Sequence, residues 1–175
     1  MRLTGCLLIT TAAIGLAGCS TLVSVHPFIA GPQAVFDPAL VGVWAGDNND
    51  ALYVIRQDGN SYKIRRMEGT DATSFSAQLF KNGDLRILDL MSAADDPFQL
   101  AVHTPLRVWV EGATLRFATL DSTWLMENAR KQLAVEDVGD RALITAPGDA
   151  VLRFLITYGG ADNAYGKPSV LYKQP

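Results

Sequence analysis

Side chains able to do chemistry are sparse in this 175-residue chain, which holds two cysteines, Cys6 and Cys19, and two histidines, His26 and His103. A thiolate is a strong nucleophile and metal ligand, and imidazole is the side chain that titrates nearest neutral pH. The spacing of these four residues supports neither use. No His-x-x-His pair and no matched carboxylate spacing accompanies them, so neither a catalytic nor a structural zinc site is expected. His103 precedes Thr104-Pro105 and a strand-like run with Arg107 and Trp109, and is expected to satisfy a backbone group at the rim of a sheet. Asp47-Asn48-Asn49-Asp50 lacks the alternating oxygens and turn glycine of a calcium loop. With Asp95-Asp96-Pro97 and Glu136-Asp137 it reads as solvated turn. There is no Gly-x-Ser-x-Gly elbow, phosphate-cradling loop or dinucleotide fingerprint. No catalytic residue, metal or cofactor is assigned, and a net charge of -3 with a pI near 5.3 leaves no electrostatic footprint for nucleic acid.

Cys19 has a different context. Residues 1–18 carry one positive charge, Arg2, followed by an uncharged apolar or small run from Leu3 to Ala17. A permanent span needs about 20 apolar residues, so this run reads as a secretion signal. It ends in Leu16-Ala17-Gly18-Cys19, which resembles the lipobox of bacterial lipoproteins. The resemblance implies cleavage before Cys19, small Ala17 and Gly18 fitting the peptidase and the Cys19 sulfur carrying diacylglycerol. Three acyl chains would hold the chain firmly on a membrane where one holds it marginally. By resemblance to lipoprotein sorting in Gram-negative bacteria, Ser20 implies the outer membrane, facing the periplasm. Cys6 would leave with the signal and Cys19 would be consumed by lipid, so neither thiol nor disulfide would remain. The expected division is a signal peptide at 1–18, a lipidated N-terminus and tether at 19–39, and one domain at 40–175.

The elements that must position anything in that domain follow from turns and alternation. Pro27, Gly31, Pro32 and Pro38 break the tether, whose Val23, Val25, Phe28, Ile29, Val35 and Phe36 are apolar enough to dock part of it on the domain or the membrane surface. Strands are expected over 41–45, 52–57 and 62–67, with a hairpin at Asp58-Gly59-Asn60, and Tyr62-Lys63-Ile64-Arg65 alternates apolar with charged. Further strands are expected over 75–79 and 85–90 around Asn82-Gly83, and over 100–111 and 114–120 around Gly112-Ala113. A meander of such hairpins must close on itself to bury its apolar face and hide its edges. The expected fold is therefore mainly β, an antiparallel meander closing into a barrel, with two short helices in the C-terminal third. The first helix starts at Asp121 or Ser122 and reaches Lys131. The second starts at Thr145 or Ala146 with Pro147 in its first turn, carries the stripe Val151, Phe154, Leu155 and Tyr158, and stops at Gly159-Gly160. Short strands over 133–138 and 142–145 lie between the helices, and one over 169–173 ends the chain.

Gly42-Val43-Trp44 opens the first strand and resembles the Gly-x-Trp of lipocalins and related calycin barrels. The resemblance implies that the indole of Trp44 seals one barrel end together with a basic side chain from a late strand, although no unambiguous late-strand arginine is present. The alternation along the strands gives a candidate interior of Trp44, Leu52, Val54, Tyr62, Ile64, Phe75, Ala77, Leu79, Leu115 and Phe117, with small Ala77 leaving room. Two readings fit the alternation: a calyx enclosing a small hydrophobic ligand, or a filled barrel whose surface meets an envelope partner. An envelope hydrolase with a spatially assembled site is the alternative to both. A connected interior space of roughly 300 Å³ or more favours the carrier, and an intermediate, mostly filled interior is expected.

Overall fold

The computed structural model describes residues 23–46, 51–92, 100–138 and 141–175. The signal-like run, Cys19, the acidic turns 47–50 and 95–97 and the 139–140 turn lie outside the described residues. In chain order the strands and helices are β1 (Val23–Ser24), β2 (Gly42–Ala45), β3 (Leu52–Asp58), β4 (Ser61–Glu68), β5 (Asp71–Asn82), β6 (Leu85–Ser92), β7 (His103–Glu111), β8 (Thr114–Thr119), α1 (Ser122–Ala129), β9 (Val135–Val138), β10 (Arg141–Ile144), α2 (Gly148–Tyr158) and β11 (Ser169–Lys173).

Eight strands form a closed antiparallel barrel. β2 to β8 pair in sequence, β11 pairs with both β8 and β2, and the β6–β7 ladder leaves no free edge in the ring. The hairpins form where expected. At Asp58↔Ser61, Gly59 takes φ 61°, a conformation open to glycine and costly for other residues. One hairpin was not expected: Gly69-Thr70 joins β4 to β5 with Glu68 opposite Asp71, so β5 runs from Asp71 rather than Phe75. The polar Asp71-Ala72-Thr73-Ser74 stretch has no apolar alternation of its own and is recruited by its partner strand.

Both helices appear, with shifted ends. Asp121 caps α1 by accepting from Trp124 N at 2.9 Å, and α1 stops at Ala129 rather than Lys131. Pro147 is the cap of α2 rather than part of its first turn. Val151, Phe154 and Leu155 are buried as the stripe requires, and Tyr158 is half-buried.

Two apolar cores lie on opposite sides of the barrel wall. The inner one packs Leu40, Trp44, Ile55, Tyr62, Leu79, Leu88, Val108 and Leu171. The outer one sets α1, α2 and the β9–β10 hairpin on Ile87 of β6, with Phe28 and Ile29 among them. Each such side chain removed from water contributes about 1.5–3 kcal/mol. The described part of the expected tether is a strap on the barrel. β1 pairs with β7 and β10, Phe28 and Ile29 are fully buried, and Val35 bridges to Leu79.

Candidate functional site

The strap crosses the barrel end that carries the β3–β4 and β5–β6 turns, and closes it. From Val35 on β5 the chain runs through a 3-10 turn, Pro38–Leu40, to Gly42 on β2. Asp37 N donates to the Tyr62 hydroxyl at 2.7 Å, Phe36 stacks on that ring at 5.5 Å, and Arg86 Nε lies 3.5 Å from Asp37 Oδ2. Burial pushes the Tyr62 phenol above the ordinary tyrosine value. Trp44 is fully buried and its Nε1 donates to Leu40 O at 2.9 Å. The basic partner for the indole is a lysine: Lys173 on β11 holds Nζ 5.2 Å from the ring. Gly42, at φ 147°, makes space for it, since a Cβ there would stand 2.8 Å from Lys173 Cε.

Above this floor the inner wall encloses a cavity of about 230 Å³ open toward the other end. Its lower lining is Leu40, Ile55, Ile64, Leu88, Val108, Leu115 and Leu171, with Phe75, Leu90, Leu106 and Phe117 higher up. Polar groups join the lining only at Tyr53, Arg66, Thr104 and Thr119. Arg66 Nε donates to the Tyr53 hydroxyl at 3.3 Å, and Arg66 Nη2 pairs with Glu68 at the rim. The Tyr53 hydrogen bond, with Glu68 contributing further, raises the guanidinium above the usual arginine value. The Tyr53 ring is held edge-on against Phe117 at 6.0 Å.

The residues expected inside the barrel fall in different places. Ile64, Phe75, Leu115 and Phe117 line the cavity, and Trp44, Tyr62, Ala77 and Leu79 belong to the packed core around it. Ala77 therefore does not open the space. Leu52 and Val54 correct the expectation, because β3 turns its other face inward: Tyr53 stands opposite Trp44 and Arg66, and Ile55 opposite Ile64. Leu52-Tyr53-Val54-Ile55 is apolar on both parities, so alternation cannot choose between them. The signal lay in the turn: a two-residue link pairing Asp58 with Ser61 puts Gln57, Ile55 and Tyr53 on the same face as Tyr62, Ile64 and Arg66. Arg66 was missed because a charge inside an apolar column reads as an outward residue.

His103 is also corrected. Instead of meeting a backbone group at the rim, its Nδ1 lies 2.7 Å from Asp89 Oδ1 on the outer wall, and Asp89 Oδ2 accepts from Phe28 N at 3.0 Å. Burial pushes the Asp89 carboxyl above its ordinary value, opposed by His103 and by the Phe28 and Ile29 amides. The pair borders a polar cleft of about 430 Å³ beside Pro27, Lys63, Ser76 and Gln78. Among the described residues no hydroxyl is hydrogen-bonded to His103. Ser24, its cross-strand neighbour, donates to His26 O at 2.8 Å. The arrangement clamps the strap, with Phe28 N held on the Asp89 carboxylate. Among the described residues no helix is long and apolar enough to cross a membrane, and no cluster of three metal-ligating side chains occurs. No family model, curated protein or solved structure matches the chain.

Proposed function

We propose that this chain is a lipid-anchored protein of the bacterial cell envelope whose lipocalin-like barrel binds a small hydrophobic ligand without catalysis. The observation that carries the ligand reading is the cavity of about 230 Å³ with an almost wholly apolar lining. The space opens to solvent, so its apolar lining is wetted when empty, and covering it is favourable by about 25 cal/mol per Å² removed from water. A ligand's hydrocarbon supplies that cover, and a barrel serving only as an interaction surface leaves the lining wet. The volume lies below the roughly 300 to 1,000 Å³ of drug-sized sites, which restricts the occupant to something small or single-chained.

Anchoring rests on Leu16-Ala17-Gly18-Cys19 and on Ser20, which favours the outer membrane. Only four peptide steps separate Cys19 from Val23, where β1 begins, so an acyl anchor on Cys19 would leave little chain between membrane and domain. The barrel is then held against the lipid surface. Native mass spectrometry of protein released from its own membrane tests the ligand reading: a co-purifying small apolar adduct is expected. Absence of any adduct, together with lipids that fail to shift the melting temperature, sinks it and leaves the envelope-partner reading.

A further inference from the structure

The outward side of the barrel wall is covered unevenly. Among the described residues, the outer core and a smaller cluster around Ala118, Ala164 and Tyr165 cover β6 and β8 and take no residue from β3 or β4. Three cations gather on that bare stretch. Arg56 of β3 stands directly opposite Lys63 of β4, and Arg65 is the next outward residue along β4, all three exposed. Like charges at facing positions of a ladder are destabilising, so folding alone does not favour the arrangement. Among the described residues one carboxylate answers them, Asp58, 3.4 Å from Lys63 Nζ. In a chain of net charge -3 the wall therefore concentrates the minority sign.

The register of the sheet ties this patch to the N-terminal end. Ser24 of β1 faces His103, His103 faces Met91, Met91 faces Ser76, Ser76 faces Lys63, and Lys63 faces Arg56. That single row crosses the outer wall, about 24 Å in all at about 4.8 Å per strand. It begins at Ser24, five positions after Cys19, and ends at the cations. The polar cleft of about 430 Å³ lies along it, with Pro27 of the strap and Ser61, Lys63, Ser76 and Gln78 in its lining. We propose, resting on the anchor assigned to Cys19, that the outer wall of β3 and β4 is the face the domain lays on its own membrane, with Arg56, Lys63 and Arg65 on the phosphates of anionic phospholipid heads. Guanidinium forks suit phosphate oxygens, and the hydroxyls and amide of the cleft add neutral hydrogen-bonding groups beside them. Leu52 and Val54, outward on the same wall, give it an apolar border. Each basic side chain near an anionic surface strengthens such a contact by about fivefold, and the attraction fades within about 8 Å at physiological salt. Contacts of that strength orient a chain already tethered and do not hold an untethered one.

The test reads acetylation of Lys63 by acetic anhydride, an uncharged reagent, on the natural lipidated chain reconstituted in vesicles of phosphatidylcholine alone or mixed with phosphatidylglycerol. Peptide mass spectrometry follows Lys63 against Lys131, which lies beyond α1. Lys63 is expected to react at least about fivefold more slowly on the anionic vesicles, the weight of one basic side chain, while Lys131 keeps its rate. Concentrated salt should erase the difference. Arg56→Gln combined with Arg65→Gln, two exposed changes, should return Lys63 to its rate on neutral vesicles. Free glycerol phosphate added to neutral vesicles should leave Lys63 unchanged, and protection by it would overturn the membrane face in favour of a soluble phosphate ligand. Equal Lys63 rates on the two vesicles, slowing of Lys131 in step with Lys63, or protection that survives the double variant overturns the docking face while the anchor stands. A natural chain that leaves the vesicles in concentrated salt overturns the anchor and this proposal together.

Discussion

The Tyr165 ring packs edge-on against Trp109 at 6.5 Å and under the Arg107 guanidinium, yet among the described residues its buried hydroxyl has no hydrogen-bond partner. Burial pushes the phenol up to about 12, with Arg107 pulling the other way. The folded chain thus keeps a proton that the unfolded chain releases near ~10. That contribution is whole below ~10 and is lost as pH climbs to the folded value. Tyr165→Phe should remove this alkaline loss and, at neutral pH, stabilise by about 1 kcal/mol, because an unsatisfied hydroxyl is deleted. Thermal melts at both pH values check it, and a less stable phenylalanine variant at neutral pH contradicts it. Asp89 carries the same sign lower on the scale. Its raised carboxyl favours the fold below the ordinary 3.8, and this is lost as pH rises through the elevated value. Asp89→Asn keeps an acceptor for Phe28 N and should flatten that decline in urea titrations repeated at increasing pH from the ordinary aspartate value upward. Trp44→Ala, which empties the floor and strands Lys173, should cost about 3–5 kcal/mol in the same assay.

At the scale of elements, the strap and α2 depend on each other at one glycine. A Cβ on Gly148 would stand 1.9 Å from Pro27 O, so the first turn of α2 presses directly on the strap backbone. Glycine to alanine in a helix ordinarily stabilises by about 0.5–1 kcal/mol. Gly148→Ala should reverse that sign and cost about 1–3 kcal/mol, the overpacking range. Faster proteolytic cleavage between Pro27 and Ala34 would report the lifted strap, and a variant more stable than the parent would refute the contact. Elsewhere the ladders show what a strand inherits from its neighbour: polar 71–74 is a strand because Glu68↔Asp71 starts a hairpin, and β3 faces the way its pairing with β4 dictates.

For the molecule as a whole, the inner core and the outer core share one wall, with Ile87 facing out and Leu88 facing in at adjacent positions of β6. Both cores pack described residues from Phe28 onward. Cys19→Ala should therefore move the protein from the membrane to the soluble fraction while leaving its melting temperature within about 1 °C, an effect below ~0.5 kcal/mol. Membrane retention of the alanine variant would remove the anchor assigned to Cys19.

Strand and helix identities were legible in the sequence because they rest on short-range physics. Asp58-Gly59-Asn60 and Asn82-Gly83 turn the chain, Tyr62-Lys63-Ile64-Arg65 alternates, Asp121 caps, and the α2 stripe repeats at helical spacing. These are interactions among near neighbours, and they also imply closure, since a long meander cannot leave its edges bare. Which parity of an apolar run faces inward, that Lys173 lies over Trp44, that Asp89 meets His103 and that Arg66 stands inside the mouth were decided only by the tertiary structure. Those relations join residues from different strands, whose juxtaposition is set by the register of the closed ring.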